Sequence, residues 1–129
     1  APNKELNRVP KFLAHAVRDF ESSKLKSLQL IKGWLDTEGK LNNKVISIAE
    51  FPTGSDEICV VHTDKEFQPT QSAYYYLRAA ELPSPRWHTY DCNKIKKDSR
   101  PEVCKSDDYP KIIREMAWTS PIWYQGIQN

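Results

Sequence analysis

The chain has 129 residues, with 19 Lys and Arg against 17 Asp and Glu, which gives a formal net charge of +2. This balanced charge gives no reason to expect nucleic acid or an anionic membrane as the partner. No apolar stretch approaches the roughly 20 residues that a membrane-spanning helix needs. The length predicts a single domain, residues 1–129, that is large enough to bury a hydrophobic core.

Turn signals divide the N-terminal half into short segments, and none of them has the pattern of a long helix. Segment 11–18 is apolar enough for a strand, although its Ala residues also permit a helix. The pattern then predicts a polar turn, a strand, a hairpin turn, a return strand, a second turn and a largely buried strand. These elements cover residues 19–26, 28–35, 36–39, 44–51, 52–56 and 57–63. Cys59, in the last of them, is predicted to be a small buried hydrophobic residue.

Residues Ala73–Glu81 are predicted to form a strand with two different faces. Alternation places Tyr75, Leu77 and Ala79 on one face, and Tyr74, Tyr76 and Arg78 on the other. Tyr75 is our candidate for a tyrosine corner, because an aromatic residue near the start of a strand after a Pro-containing crossover is typical of immunoglobulin-like sandwiches. Pro83 and Pro85 end this strand, since neither can donate to a ladder.

The C-terminal third combines a polar loop, residues 91–111, with a last strand, residues 115–124, that Pro121 breaks. A proline suits an edge position or a bulge. Cys92 and Cys104 flank the loop and are either two free thiols or a disulfide pair. A disulfide closing a loop of this length would contribute about 3 kcal/mol and would imply an oxidising compartment. We therefore expect a periplasmic or secreted protein.

Short strands separated by turns predict an all-β fold, an antiparallel immunoglobulin-like or fibronectin-like sandwich with long polar loops. The residues indicate no catalytic group, no metal site and no cofactor. His62 and Asp64 alternate onto one side of a strand and are the one pair of potential metal ligands, but a catalytic zinc needs about three. A strand-end His beside a turn-starting Asp is the simpler interpretation.

The aromatic residues are the strongest functional signal. Four Trp and six Tyr exceed what the core of one small sandwich needs, so some of them either face a ligand or partner or cover the ends of the sandwich. Our candidates for an interface or binding surface are Tyr74, Tyr76, Arg86, Trp87, Trp118, Trp123 and Tyr124. The partner would be another protein surface, or a ligand such as a sugar or peptide.

Three blocks carry a resemblance to a known family: residues 73–81, residues 83–90 and the final Ala117-Trp-Thr-Ser-Pro-Ile-Trp-Tyr124. Lys32-Gly-Trp-Leu-Asp36 and Thr63-Asp-Lys-Glu-Phe-Gln-Pro69 add to it, with Lys65 where the family usually has Pro. Together they resemble the C-terminal end of a large bacterial family of unknown function. The longer N-terminal part of those proteins resembles metallohydrolases of the polymerase and histidinol phosphatase (PHP) type.

The resemblance implies a non-catalytic C-terminal module that packs against a metal-binding core in the same or a companion chain. The whole protein would then be a metal-dependent hydrolase, while no position here matches its metal ligands. Arg86, Trp87 and the 118–124 strand would make the contact, with Arg86 either beside an anion site or packed on Trp87. The segment from Phe51 to Ile58 is shorter than the family pattern. Since the chain starts with Ala1, we expect it to follow a cleaved signal or to be part of a longer polypeptide. A free-standing module that binds carbohydrate or peptide is the alternative.

Overall fold

The structure is a computed structural model that describes residues 9–127. These residues form nine strands, two short α-helices and one 3-10 helix. In chain order the elements are β1 (Lys11–Val17), β2 (Leu25–Leu35), β3 (Leu41–Ser55), β4 (Glu57–Thr63), β5 (Ala73–Glu81), β6 (Ser84–Pro85), α1 (Trp87–Lys94), the 3-10 helix (Lys97–Ser99), α2 (Glu102–Lys105), β7 (Ile112–Ile113), β8 (Met116–Trp118) and β9 (Ile122–Tyr124). No helix among the described residues is long and apolar enough to cross a membrane.

The larger layer is an antiparallel sheet with the order β3-β2-β5-β8, in which β9 also pairs with β5. Strands β8 and β9 lie on the same side of β5: Ala117 is opposite Ala79, and Ile122 is opposite Tyr75. Pro121 lies between the two short strands, at the edge of the sheet, where a missing N–H donor costs little. The prediction of a C-terminal strand broken by Pro121 is therefore confirmed.

The smaller layer is the antiparallel pair β1-β4, which packs on one face of the larger sheet. We call this face of the larger sheet the inner face and the opposite one the outer face. Ala14 and Ile58 of the small layer share a buried cluster with Leu25 and Leu28 of β2. A second cluster contains Leu30, Ala73 and Tyr75, with Phe12 of β1 packed against it. The prediction of an all-β antiparallel sandwich is confirmed.

A buried ion pair lies between the two layers. Lys32, on β2, is 5 % exposed, and Asp64, directly after β4, is 3 % exposed. The Lys32 Nζ lies 2.5 Å from Asp64 Oδ2, to which the Tyr75 hydroxyl also donates at 2.8 Å. The Lys32 Nζ is also 5.6 Å from the centre of the Trp34 ring. The predicted tyrosine corner thus differs from the immunoglobulin pattern, because the Tyr75 hydroxyl bonds a carboxylate instead of the backbone.

The β2–β3 hairpin lies where the sequence predicts it. Hydrogen bonds to the Asp36 carboxylate from the Lys40 N–H, the Asn42 side-chain amide and the Glu38 N–H hold the pKa of Asp36 below its ordinary value. Gly39 has a φ of 76°, a conformation that glycine adopts without steric cost. The prediction of a turn over residues 52–56 is wrong in its extent, because strand β3 continues to Ser55 and β4 begins at Glu57. Pro52 is tolerated there because β3 is an edge strand of its sheet.

Two predictions about burial and loops are wrong. Cys59 is exposed, because it projects from the side of β4 opposite to Ile58 and Val60, which pack against the larger sheet. The uniformly apolar sequence there conceals an ordinary alternation of the two faces. Residues 91–111 are not a plain loop, since they contain the second half of α1, the 3-10 helix and α2. These helices bury no residue, so their sequence lacks the apolar stripe that would predict a helix.

Cys92 and Cys104 are joined by a disulfide bond, which connects α1 to α2. The segment that contains these helices, residues 83–114, is also held by the two-residue pairing of β6 with β7. The ends of the segment are close together, because the Glu81 N–H donates to the Glu115 carbonyl oxygen at 3.0 Å.

Removing one partner of the buried pair should strongly destabilise the protein. We expect Lys32→Met to lower the free energy of unfolding by about 3–5 kcal/mol, because it leaves the Asp64 carboxylate buried without its cation. The matched control is Lys44→Met, which breaks the exposed Lys44–Glu66 pair, 2.7 Å apart, and should cost less than about 1 kcal/mol. Urea denaturation measures both values. Equal losses in the two variants would contradict a stabilising role of the buried pair.

Acid should weaken the fold through Asp64. Burial alone would raise the pKa of Asp64, but hydrogen bonds from Lys32 and Tyr75 and the charge of Lys32 outweigh burial, so the pKa lies below its ordinary 3.8. The stabilisation is therefore complete above the unfolded pKa of about 4 and is lost as the pH falls through the lower folded pKa. Urea midpoints between neutral pH and pH 2 (about the range of carboxyl titration) should fall more steeply for the wild type than for Asp64→Asn. Parallel curves would rule out this role.

The state of the cysteines is directly measurable. Under denaturing, non-reducing conditions iodoacetamide should add one carbamidomethyl group, at Cys59, because Cys92 and Cys104 are bonded to each other. After reduction, mass spectrometry should find three groups. The Cys59→Ser variant is the control and should take up none before reduction. Three groups on the unreduced wild type would mean that the bridge does not form.

Candidate functional site

Four aromatic side chains form a continuous patch on the outer face of the larger sheet. We call this patch the aromatic surface, and it consists of Tyr74, Tyr76, Trp118 and Trp123. The Tyr74 and Tyr76 rings are nearly parallel, with centroids 6.3 Å apart and planes at 9°. The Trp123 ring centre lies 5.3 Å from that of Tyr74. Pro121 and Thr119 complete the rim of a shallow depression between these rings.

Strand pairing brings these residues together from distant parts of the sequence. Trp123 of β9 is directly opposite Tyr74 of β5, and Trp118 of β8 is opposite Arg78. Directly opposed residues of an antiparallel pair project from the same face. The break at Pro121 therefore keeps both tryptophans on one face of the sheet, beside the tyrosines of β5.

The two tyrosine rings pack against β2, where the residues opposite them are one small residue and one apolar residue. Gly33 is opposite Tyr74, and Ile31 is opposite Tyr76. A Cβ atom built on Gly33 would lie 2.5 Å from the Tyr74 hydroxyl oxygen, so the Tyr74 ring occupies the space that a larger side chain would fill. Ile31 is only 5 % exposed. The tyrosines are thus half-buried and form a fixed base for the surface.

The two tryptophans project from this base into solvent. Trp118 is 57 % exposed and Trp123 is 74 % exposed. A polar fringe borders them, where the Arg78 Nε donates to Gln29 Oε1 at 2.8 Å. Exposed rings in one patch with a polar edge have the composition of an interaction surface.

The other three candidates lie elsewhere. Tyr124 is half-buried: its hydroxyl donates to the Pro69 carbonyl oxygen at 2.8 Å, and its ring meets Phe67 edge-on at 4.9 Å. Arg86 and Trp87 lie at the start of α1, in a second, mostly apolar cavity of about 240 Å³ that Tyr109 also lines. Trp87 is 73 % exposed.

Sequence reasoning did not identify Gly33, Ile31 and Thr119 as parts of the surface. Thr119 holds the β8 end against β5, because its Oγ1 accepts a hydrogen bond from the Leu77 N–H at 3.0 Å. No local signal marks Thr119, since its role depends on which strand is its neighbour. Gly33 could have been found, because a glycine inside a strand often marks a close approach by another group.

The groups considered for chemistry are engaged in structural contacts. The Asp64 carboxylate is bound by Lys32 and Tyr75 inside the sandwich, and burial together with this carboxylate raises the pKa of Tyr75 well above its ordinary value. Asp64 is therefore not available as a metal ligand with His62. The His15 Nε2 is 2.7 Å from Glu57 Oε1 on the exposed side of the small layer. Among residues 9–127, no three His, Cys, Asp or Glu side chains are grouped so as to hold a metal ion.

Comparison with known proteins identifies the family. The model of the family described as "Protein of unknown function (DUF3604)" matches residues 2–52 and 50–126. The two matched ranges overlap at residues 50–52, inside β3, where the segment that is shorter than the family pattern begins. No curated protein and no solved structure matches the chain. Because the family model covers nearly the whole sequence, this chain belongs to the DUF3604 family of proteins of unknown function.

Proposed function

We propose that this chain is a non-catalytic C-terminal β-sandwich module that packs, through its aromatic surface, against a metallohydrolase-like region of the same or a companion chain. The observation that carries the proposal is the position of the surface. The core of the sandwich is on the inner face, so Trp118 and Trp123 on the outer face are not needed to fill it. In this proposal the metal ligands and the hydrolytic chemistry belong to the N-terminal region.

The make-up of the surface supports a protein partner. Tryptophan, tyrosine and arginine are the residues that most often dominate the energy of interfaces, especially where a fixed base holds them. Here the half-buried tyrosines are held over Gly33 and Ile31, so little side-chain entropy would be lost on docking. Arg78, already oriented by Gln29, supplies a charged edge.

We propose that Arg86 and Trp87 form a second contact with the same partner. They begin α1 and lie in a segment whose helices bury no residue. The Trp87 ring is therefore left exposed to solvent. Covering this ring with a partner would remove apolar area from water. The disulfide in this segment supports a periplasmic or secreted location, because such bonds persist in oxidising compartments.

A free-standing carbohydrate-binding module is the second candidate. The observation that favours it is the pair of nearly parallel tyrosine rings beside two exposed tryptophans, with Arg78 and Gln29 available for hydrogen bonds. Flat apolar area with a few fixed polar groups is what small-ligand sites generally offer. Binding of an extended peptide would use the same rings.

Hydroxyl-radical footprinting of the tryptophans tests the first candidate. An antibody against this chain isolates the protein from its source cells, and the immunoblot gives its size. We expect a band several times larger than the 15.0 kDa of this chain. In that larger protein, oxidation of Trp118 and Trp123 should be severalfold lower than in the isolated chain, because a partner covers their rings. Trp34, which is half-buried beside Lys32, is the internal reference and should not change.

Two results would contradict the first candidate. One is a band near 15.0 kDa that is isolated without a companion chain, and the other is a larger band in which both indoles are oxidised as fast as in the isolated chain. Footprinting of the isolated chain with soluble oligosaccharides then tests the second candidate. Protection of Trp118 and Trp123 that is lost in Tyr74→Ala would support a sugar-binding surface, and unchanged oxidation would reject it.

A further inference from the structure

The two layers of the sandwich are unequal, and the smaller layer ends early. The large sheet extends from β3 across β2 and β5 to β8, whereas the layer above it contains only β4 and β1. Next to β1, where a third strand of the small layer would lie, there is a groove of about 390 Å³. One side of this groove is β1, from His15 to Val17, and the other is the β8 segment, from Met116 to Thr119.

The side of the groove formed by β1 is an unpaired strand edge. The Asp64 N–H donates to the Pro10 carbonyl, and the Arg18 N–H donates to the Asp56 carbonyl, so the even-numbered residues of β1 form the ladder with β4. Hydrogen bonding alternates along an antiparallel strand. The N–H and C=O groups of Lys11, Leu13, His15 and Val17 therefore point away from β4. Within residues 9–127, no strand pairs with that edge.

The floor of the groove is apolar. It is formed by Leu28 of β2 with Leu77 and Ala79 of β5, on the inner face of the large sheet. Ala14 and Ala16 of β1 point toward the same layer, and their small side chains leave the space beside them open. A strand added to β1 would place every second side chain over this floor.

The rim of the groove is acidic. Asp19, Glu81 and Glu115 line it, and no lysine or arginine does so in the described part of the chain. The Glu81 carboxylate is fixed by the Ser22 hydroxyl, which donates to it. Asp19 and Glu115 are exposed, so their charges are available to a partner at the mouth of the groove.

We propose that this groove binds an extended segment of another polypeptide, which adds as a strand to β1 and completes the small layer. The free backbone groups of β1 select an extended backbone, the floor selects apolar side chains at alternate positions, and the carboxylate rim selects lysine or arginine between them. The occupant is thus an extended segment in which apolar residues alternate with lysine or arginine. The groove lies on the inner side of the sheet and the aromatic surface on the outer side, and the two share only Trp118 and Thr119 at the β8 edge among the described residues.

The probe is an acetylated and amidated octapeptide that alternates valine and lysine, titrated into the ¹⁵N-labelled chain. We expect saturable shifts of the β1 amides of Leu13, His15 and Val17 and of Thr119. A peptide that alternates valine and glutamate should bind at least about tenfold more weakly at low salt, because the rim repels it. Raising the salt concentration should narrow that difference.

Two pairs of variants locate the binding. His15→Pro removes a donor on the groove edge of β1, whereas Cys59→Pro, at the directly opposite residue, removes one on the far edge of β4. Neither proline breaks the β1–β4 ladder, and circular dichroism checks that both variants fold. We expect His15→Pro to weaken binding about tenfold and Cys59→Pro less than about twofold. Glu115→Lys should weaken binding roughly threefold, and Glu38→Lys, in the distant hairpin turn, should have no effect.

Three outcomes would overturn the proposal. The first is no saturation at about millimolar peptide, and the second is binding that survives both His15→Pro and Glu115→Lys. The third is a set of β1 shifts that depends on protein concentration and not on peptide, since the occupant would then be a second copy of the chain.

Discussion

The buried contact of Lys32, Asp64 and Tyr75 is the interaction on which the arrangement of the two layers depends. Asp64 ends the small layer, where its N–H donates to the Pro10 carbonyl, and its side chain binds β2 and β5 of the large sheet. One residue therefore closes the β1–β4 ladder and anchors it. A buried charge pair contributes little net stability compared with apolar packing, but it is costly to break. We infer that this contact sets the position of the small layer over the sheet, while the apolar clusters supply most of the stability.

The division of β5 into two faces follows from that position. Tyr75 and Leu77 face the small layer, so Tyr74 and Tyr76 must face away from it. On the outer side nothing in the described chain covers the rings, and the short strands β8 and β9 add a tryptophan each. The same unequal layers leave the edge of β1 open on the inner side. The aromatic surface and the groove thus have the same structural cause: the small layer is narrower than the large sheet and covers only part of it.

The sequence predicts the strands that have strong local signals and misses features that depend on neighbours. Ala73–Glu81, the hairpin at Asp36 and the break at Pro121 are marked by alternation, by turn residues or by proline, and all three are found in the structure. Cys59 was predicted to be buried because Ile58-Cys-Val-Val61 is apolar at every position, although only one side of β4 meets the sheet. The grouping of Trp118 and Trp123 with Tyr74 could not be predicted, because it requires knowing which strand is the neighbour of β5. Arg86 and Trp87 were predicted to belong to the same surface, and the structure places them in a separate cavity.

The segment from β6 to β7 is inserted between two paired strands, β5 and β8, whose facing ends are hydrogen-bonded to each other. Glu81 and Glu115 are hydrogen-bonded to each other, and strands β5 and β8 on either side of them are adjacent and antiparallel. The helices between them contribute no buried residue to the sandwich. This site can accordingly accept insertions of different length and composition while the sheet stays the same, because the cost of closing a loop rises only slowly with its length. Sequence divergence among proteins with this fold should therefore concentrate between residues 91 and 111, which carry none of the family motifs, and a short turn joining Glu81 to Glu115 should preserve the sandwich.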